Sequence, residues 1–232
     1  MRVIKSSRLR TFLSIALPFA VIPAVVVAGL LVFRGRSYSY IIFTVAALTV
    51  LLFISGFDRR KTGSRRMVLT AVFIAMATAG RAIFSALPGV NPITAVTVLA
   101  AIYLGGETGF MIGSFSALLS NFFAGQGVWT PFQMFAWGMT GMIAGLLMKR
   151  LAGHRLRTCA YAFFAGVIYS FIMDVWTVLW MYGSFIPSAY LAALGTAAPL
   201  TAVYAVSNAA FVFLAFKPFS EKLGRIKTKY EI

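Results

Sequence analysis

The chain of 232 residues reads as an all-α membrane protein of about eight transmembrane helices with both termini cytoplasmic, and three observations lead there. With 60% hydrophobic and 11% charged residues and a mean hydropathy of +0.89, it lacks the polar side chains that a soluble domain of this size needs at its surface. Apolar runs recur along the whole length, most of them near the ~20 residues with which a helix crosses a ~30 Å hydrocarbon core. Basic residues fall almost entirely in every second connecting segment, the pattern of cytoplasmic loops.

The first run, 11–33, follows Arg2, Lys5, Arg8 and Arg10 and so has the flank of a secretory signal. A signal's apolar region is only ~7–15 residues long, whereas this run continues to Phe33 and ends in Arg34. An uncleaved helix is therefore expected. A second run, 38–57, completes an N-terminal helical pair (1–57) that carries no charged residue inside either span and reads as an appendage. The stretch "FDRRKTGSRR" (57–66) contains a basic cytoplasmic linker, 58–66. Further runs at 67–87, 91–104, 108–124, 131–148, 158–182 and 190–216 form a six-helix unit, 67–217, and a basic cytoplasmic tail, 218–232, follows. The run 91–104 is short for a crossing; if it re-enters or merges with the next, the sidedness of everything after it reverses. No internal repeat is visible.

Charge decides that sidedness. With the first residues inside, the inner segments hold Arg2 to Arg10, then Arg59, Arg60, Lys61, Arg65 and Arg66, then Lys149, Arg150, Arg155 and Arg157, then Lys217, Lys222, Arg225, Lys227 and Lys229. The outer segments hold Arg34 and Arg36 alone. Eight spans satisfy this distribution. The formal net charge of +16 then needs no nucleic-acid partner, because anionic lipid headgroups meet membrane-flanking cations. A single cysteine, Cys159, excludes a disulfide within the chain and a Cys-rich metal site. There is no phosphate loop for ATP, no His-Glu-x-x-His and no Gly-x-Ser-x-Gly, and the only histidine, His154, lies in a basic loop. Enzymatic activity, a cofactor and a resident metal are accordingly not expected.

Ionisable residues inside a bilayer are costly and mark function by default. Arg81 lies fourteen residues into its span and Asp174 sixteen into its own, which puts both about 21–24 Å from the cytoplasmic side, in the outer half. They either pair with each other and lock two helices, or flank a site that opens outward. At the same depth "SNFFAGQGVWTPFQMFAWG" (120–138) carries Asn121, Gln126, Trp129, Gln133 and Trp137. An aromatic belt at headgroup level accounts for the tryptophans but not for the amides, which suit the hydrogen-bonding rim of a mostly apolar pocket. The uncharged outer loops 86–93 and 181–190 are candidates for a lid. Asn208 is expected to bond between helices, and Gly141 and Gly145 to pack inside the chain. Ala71, Ala75 and Ala79, four residues apart, give one smooth helix face that another helix can approach closely.

The stripe followed by Gly80-Arg81 in "AMATAGRAIFSALPGVNPI", together with the segment from Asn121 to Gly138, resembles the substrate-binding S components of energy-coupling factor (ECF) importers of vitamins and micronutrients. The resemblance covers roughly 67–216. It implies a six-helix bundle in a prokaryotic-type plasma membrane, a vitamin ligand held at the outer face, and docking through Ala71, Ala75 and Ala79 on a separate transmembrane coupling subunit driven by two cytoplasmic ATPases. Within the family the pattern is most similar to the cobalamin-type group. The six-helix norm does not account for the first helical pair. Two other classes stand beside this reading: a self-sufficient secondary transporter with Asp174 as proton carrier, and, less favoured, a membrane-embedded enzyme.

Overall fold

The computed structural model describes residues 7–33, 38–55 and 63–230, and these are helical almost throughout, with no strand among them. The first span is one interrupted helix: α1 (Ser7–Ala16) passes through a wide π-helical turn, Leu17–Val21, into α2 (Ile22–Phe33). Pro18 and Pro23 explain the interruption. A proline has no N–H to give and its ring crowds the carbonyl four residues back, and a widened turn relieves both problems. Next come α3 (Tyr38–Ser55), α4 (Gly63–Ile83), α5 (Ile93–Leu104), α6 (Gly106–Ala124), α7 (Thr130–Leu146), the single turn α8 (Met148–Leu151), α9 (Arg155–Tyr182) and α10 (Pro187–Tyr230). Helices thus stand at all eight places where spans are expected. Four of them are long and apolar enough to cross a membrane: Arg8–Gly29, Ser64–Ile83, Arg155–Tyr182 and Pro187–Ile226.

Three boundaries differ from expectation, each for a local reason. α4 stops at Ile83 instead of running to residue 87, because the chain turns repeatedly from Phe84 to Val90 and Gly89 adopts φ +77°. α10 continues to Tyr230 through the stretch expected as a tail. Its Phe219, Leu223 and Ile226 pack beside Leu69 and Phe73 of α4 and Leu104 of α5, which gives the basic extension an apolar face to bury. α5 is short but separate. Gly105, at φ +93°, ends it and starts α6 without an intervening loop, a conformation that L side chains rarely adopt. The merger that would have reversed the sidedness of the later helices does not occur.

Twelve residues of α5 rise only about 18 Å, and most of them are buried. Its first amides lie inside the protein, where an unpaired N–H is costly. Asn91 Oδ1 accepts from Ile93 N at 3.1 Å, and Asn208 Oδ1, from α10, accepts from Ala95 N at 2.9 Å. The expected helix-to-helix bond of Asn208 is therefore an N-terminal cap supplied by another helix.

α6 and α7 are both rich in Gly, and they cross at backbone contact. Gly106, Gly109 and Gly113 of α6 face Gly145, Gly141 and the Trp137–Gly138 peptide of α7, and a Cβ on Gly109 or Gly141 would overlap the backbone of the facing helix. Small residues permit such an approach in a bilayer, where packing must replace the hydrophobic drive. Gly141 and Gly145 pack internally, as their spacing suggests, with a matching glycine row on α6. The other side of α6 and α7 meets the N-terminal pair. Ile22, Val26, Ile41, Val45 and Leu52 share one hydrophobic cluster with Phe110, Ala117, Met134 and Trp137, so the pair expected as an appendage is packed into the core.

The crossing gives a stability prediction. Gly141→Val, which forces a branched side chain into backbone, should destabilise the detergent-purified protein by about 1–3 kcal/mol or prevent its folding. Gly195→Ala, at a helical position with nothing within 4 Å, should be neutral or mildly stabilising. Thermal unfolding that ranks the two variants equally would show that the crossing is not tightly packed.

Candidate functional site

The site is built around Arg81, in the last turn of α4. A guanidinium inside a bundle needs acceptors to replace water, and α6 supplies two. Nη1 of Arg81 donates to Ser120 Oγ at 2.7 Å and to Asn121 Oδ1 at 2.8 Å. Its charge also lies over the ring of Trp137, 5.3 Å from the centroid, a cation–π contact that strengthens where water is excluded.

Each of these partners is fixed by a further one. Asn121, fully buried, uses its Nδ2 to donate to Thr130 Oγ1 and Gln133 Oε1, both at 2.8 Å. That places its carbonyl oxygen toward Arg81, the orientation a cation requires. Trp137, 1% exposed, donates from Nε1 to Tyr204 Oη at 2.7 Å and stacks on Tyr169 with centroids 4.6 Å apart and planes 13° apart. Tyr169 and Tyr204 pack at 5.1 Å. One guanidinium and two phenol rings, from α4, α9 and α10, thus form a continuous floor, with the Trp137 ring of α7 beneath it.

Above it opens a cavity of about 610 Å³. Arg81, Tyr169 and Tyr204 line its bottom, the turns from Phe84 to Asn91 one wall, and Ser170, Met173 and Asp174 of α9 with Leu200 and Thr201 of α10 the others. The turn segment is held to α10 at Gly89, where an added Cβ would meet Val203 at 3.1 Å. Of the two loops considered as a lid, residues 87–91 of the first belong to this wall, whereas residues 181–190 do not line the cavity.

The sequence candidates separate into three groups here. Arg81 and Asp174 both line the cavity, and no ion pair joins them among the described residues, so the locking pair is not what the fold builds. Asn121, Gln133 and Trp137 lie beneath the floor and orient it. Gln126 and Trp129 are not part of the lining. Gln126 Nε2 donates to Leu118 O at 2.8 Å, and its Oε1 accepts from Thr130 Oγ1 at 3.0 Å. It thereby ties the connection after α6 back onto that helix and onto the first residue of α7. Trp129 covers Gly127 and packs edge-on against Trp176 at 6.1 Å. Tyr169, Tyr204 and the wall from Phe84 to Asn91 complete the site. A phenol within an apolar run is the signal for the two tyrosines, since its hydroxyl finds no partner in lipid.

The alanine stripe lies elsewhere. Ala71, Ala75 and Ala79 are exposed, as are Val68, Val72 and Met76, while Phe73, Ile74 and Ala77 of the same helix are buried. The stripe therefore does not pack inside this chain. Near Gly63, Arg66 Nε donates to Thr108 Oγ1 at 2.6 Å and its Nη2 lies 4.0 Å from Glu107, tying α4 to the start of α6. No group of three or more His, Cys, Asp or Glu able to hold a metal occurs among the described residues.

Comparison with known proteins matches residues 61–223 to the family model described as ECF-type riboflavin transporter, S component. No curated protein and no solved structure matches the chain. The match is with a riboflavin-named group, so the cobalamin-type first guess gains no support from it. The matched stretch takes in α4, the cavity, both glycine rows and most of α10, and the chain belongs to the ECF S components, the substrate-binding subunits of vitamin transporters.

Proposed function

We propose that the protein captures riboflavin or a closely related flavin in the cavity above Arg81, from the outer face, and delivers it through a separate coupling subunit driven by two ATPases. The observation that carries the substrate is the floor. A flat, weakly polar ring system is best held by aromatic rings and a guanidinium edge, and the floor of Arg81, Tyr169 and Tyr204, backed by Trp137, supplies both. The volume of about 610 Å³ falls within the roughly 300–1,000 Å³ of sites for single drug-sized molecules. A corrinoid, with its macrocycle and nucleotide arm, is a far larger object. The family match supports the same ligand class.

Docking on the coupling subunit is assigned to Ala71, Ala75 and Ala79. Their exposure supports it, because a smooth face left uncovered by this chain allows a second helix to approach closely. The remaining sequence candidates act on the cavity: Arg81 and Asp174 from within it, Asn121, Gln133 and Trp137 through the groups they hold, and Gln126 and Trp129 through the connection between α6 and α7. Anionic lipids meet the basic flanks.

Riboflavin fluorescence should be quenched on titration with the purified protein, at one ligand per chain. Arg81→Lys keeps the charge but cannot serve Ser120, Asn121 and a ligand together. It should weaken binding roughly ten- to a hundredfold, the scale of one charged hydrogen bond. Unchanged affinity would remove Arg81 from the binding surface.

Ala75→Trp should leave that titration unchanged and abolish uptake in cells that contain the coupling subunit and ATPases. Ala75 lies six residues, more than a full turn, before Arg81, the nearest cavity residue on α4, so binding and docking are separable. Normal uptake by Ala75→Trp would remove the docking assignment, and uptake by the chain alone, abolished by an uncoupler, would replace the ECF mechanism with proton-coupled transport.

A further inference from the structure

The two ionisable side chains of the cavity differ in what they have left unused and in how deep they lie. Arg81 engages its partners through Nη1, and its Nε and Nη2 make no hydrogen bond among the described residues. Asp174 is 9% exposed, and its Oδ2 is covered and has no hydrogen-bond partner. Tyr190, on the facing helix, has its hydroxyl directed to Phe171 O at 3.3 Å. A buried carboxylate without a donor is costly; with Oδ2 covered, a ligand donor in the cavity would meet the other oxygen, Oδ1, for which no hydrogen bond occurs among the described residues.

Depth separates the two groups. Tyr169 and Asp174 are five residues apart on α9, and five helical residues rise about 7.5 Å. Tyr169 stacks on the same Trp137 ring that Arg81 covers. The donor wall is thus at the floor, and the acceptor wall one to two turns above it.

We infer that the cavity binds its flavin in one direction, with the carbonyl edge of the ring at Arg81 and the hydroxylated chain rising past Asp174, and that Asp174 selects a free polyol tail over a phosphorylated one. This rests on the flavin reading above. A flavin ring offers carbonyl and imine acceptors along one edge, which suit the unused guanidinium N–H groups. Its tail offers hydroxyl donors, which suit the carboxylate. A 5′-phosphate carries about −1.5 to −2 charge at neutral pH and would stand near a carboxylate that has no cation of its own.

Three probes titrated into the full-length protein test this: riboflavin, its 5′-phosphate, and lumiflavin, in which a methyl group replaces the tail. The unmodified protein should prefer riboflavin to the 5′-phosphate. In Asp174→Asn that preference should fall about tenfold or more, from weaker riboflavin binding and relief of the phosphate. Lumiflavin should bind both proteins equally, which also shows that the variant is folded. Equal losses for riboflavin and lumiflavin would make Asp174 a structural residue, and an unchanged preference would overturn the direction of binding while leaving the flavin reading intact. If the unmodified protein binds none of the three, the flavin reading and this inference both fall.

Discussion

A guanidinium inside a membrane bundle must be solvated by the protein, and that requirement on Arg81 organises the upper half of this molecule. Two oxygens from α6 and one ring from α7 take the place of water. Those groups are in turn held by Thr130, Gln133, Tyr204 and Tyr169, so satisfying one cation links α4, α6, α7, α9 and α10. A network of this kind is rigid only if every member is satisfied. The partners of Arg81 are each held by a further group, while its Nε and Nη2 stay unused at the base of the cavity.

The network also requires that α6 and α7 be close, and the glycine rows make that possible. With their facing backbones in contact, Ser114 Oγ reaches Met134 O at 2.8 Å and Asn121 reaches across to Gln133. The same composition makes both helices poor spans by themselves, and they are covered by α3, α4, α5 and α9. The N-terminal pair belongs to this cover: its apolar residues complete the cluster around Phe110 and Trp137. Packing and binding are therefore coupled, since the helix faces that bring Asn121 and Trp137 under the cavity are also the ones the pair shields.

α4 serves two surfaces at once. One side buries Phe73, Ile74 and Ala77 and delivers Arg81 to the cavity floor; the other leaves Ala71, Ala75 and Ala79 bare. The turns that follow α4 form one cavity wall, which puts that wall, the floor cation and the bare face on one continuous stretch of chain.

Composition and apolar run length determined the solvent and the places of the helices, because a bilayer permits few alternatives for backbone hydrogen bonding. The depth of Arg81, Asn121 and Trp137 was equally legible, since rise per residue is constant along a helix, and the structure brings those three into contact. Azimuth was not. Successive residues turn by about 100°, so side chains at one depth point in different directions until the helices are packed, and only packing decided that Gln126 and Trp129 turn to the α6–α7 connection while Tyr169 and Tyr204 turn to the cavity. It decided as well that Arg81 bonds to α6 and leaves Asp174 unpaired. Both arrangements give the guanidinium acceptors in place of water, and the choice between them depends on which helix stands nearest, a long-range property that no local stretch of sequence contains.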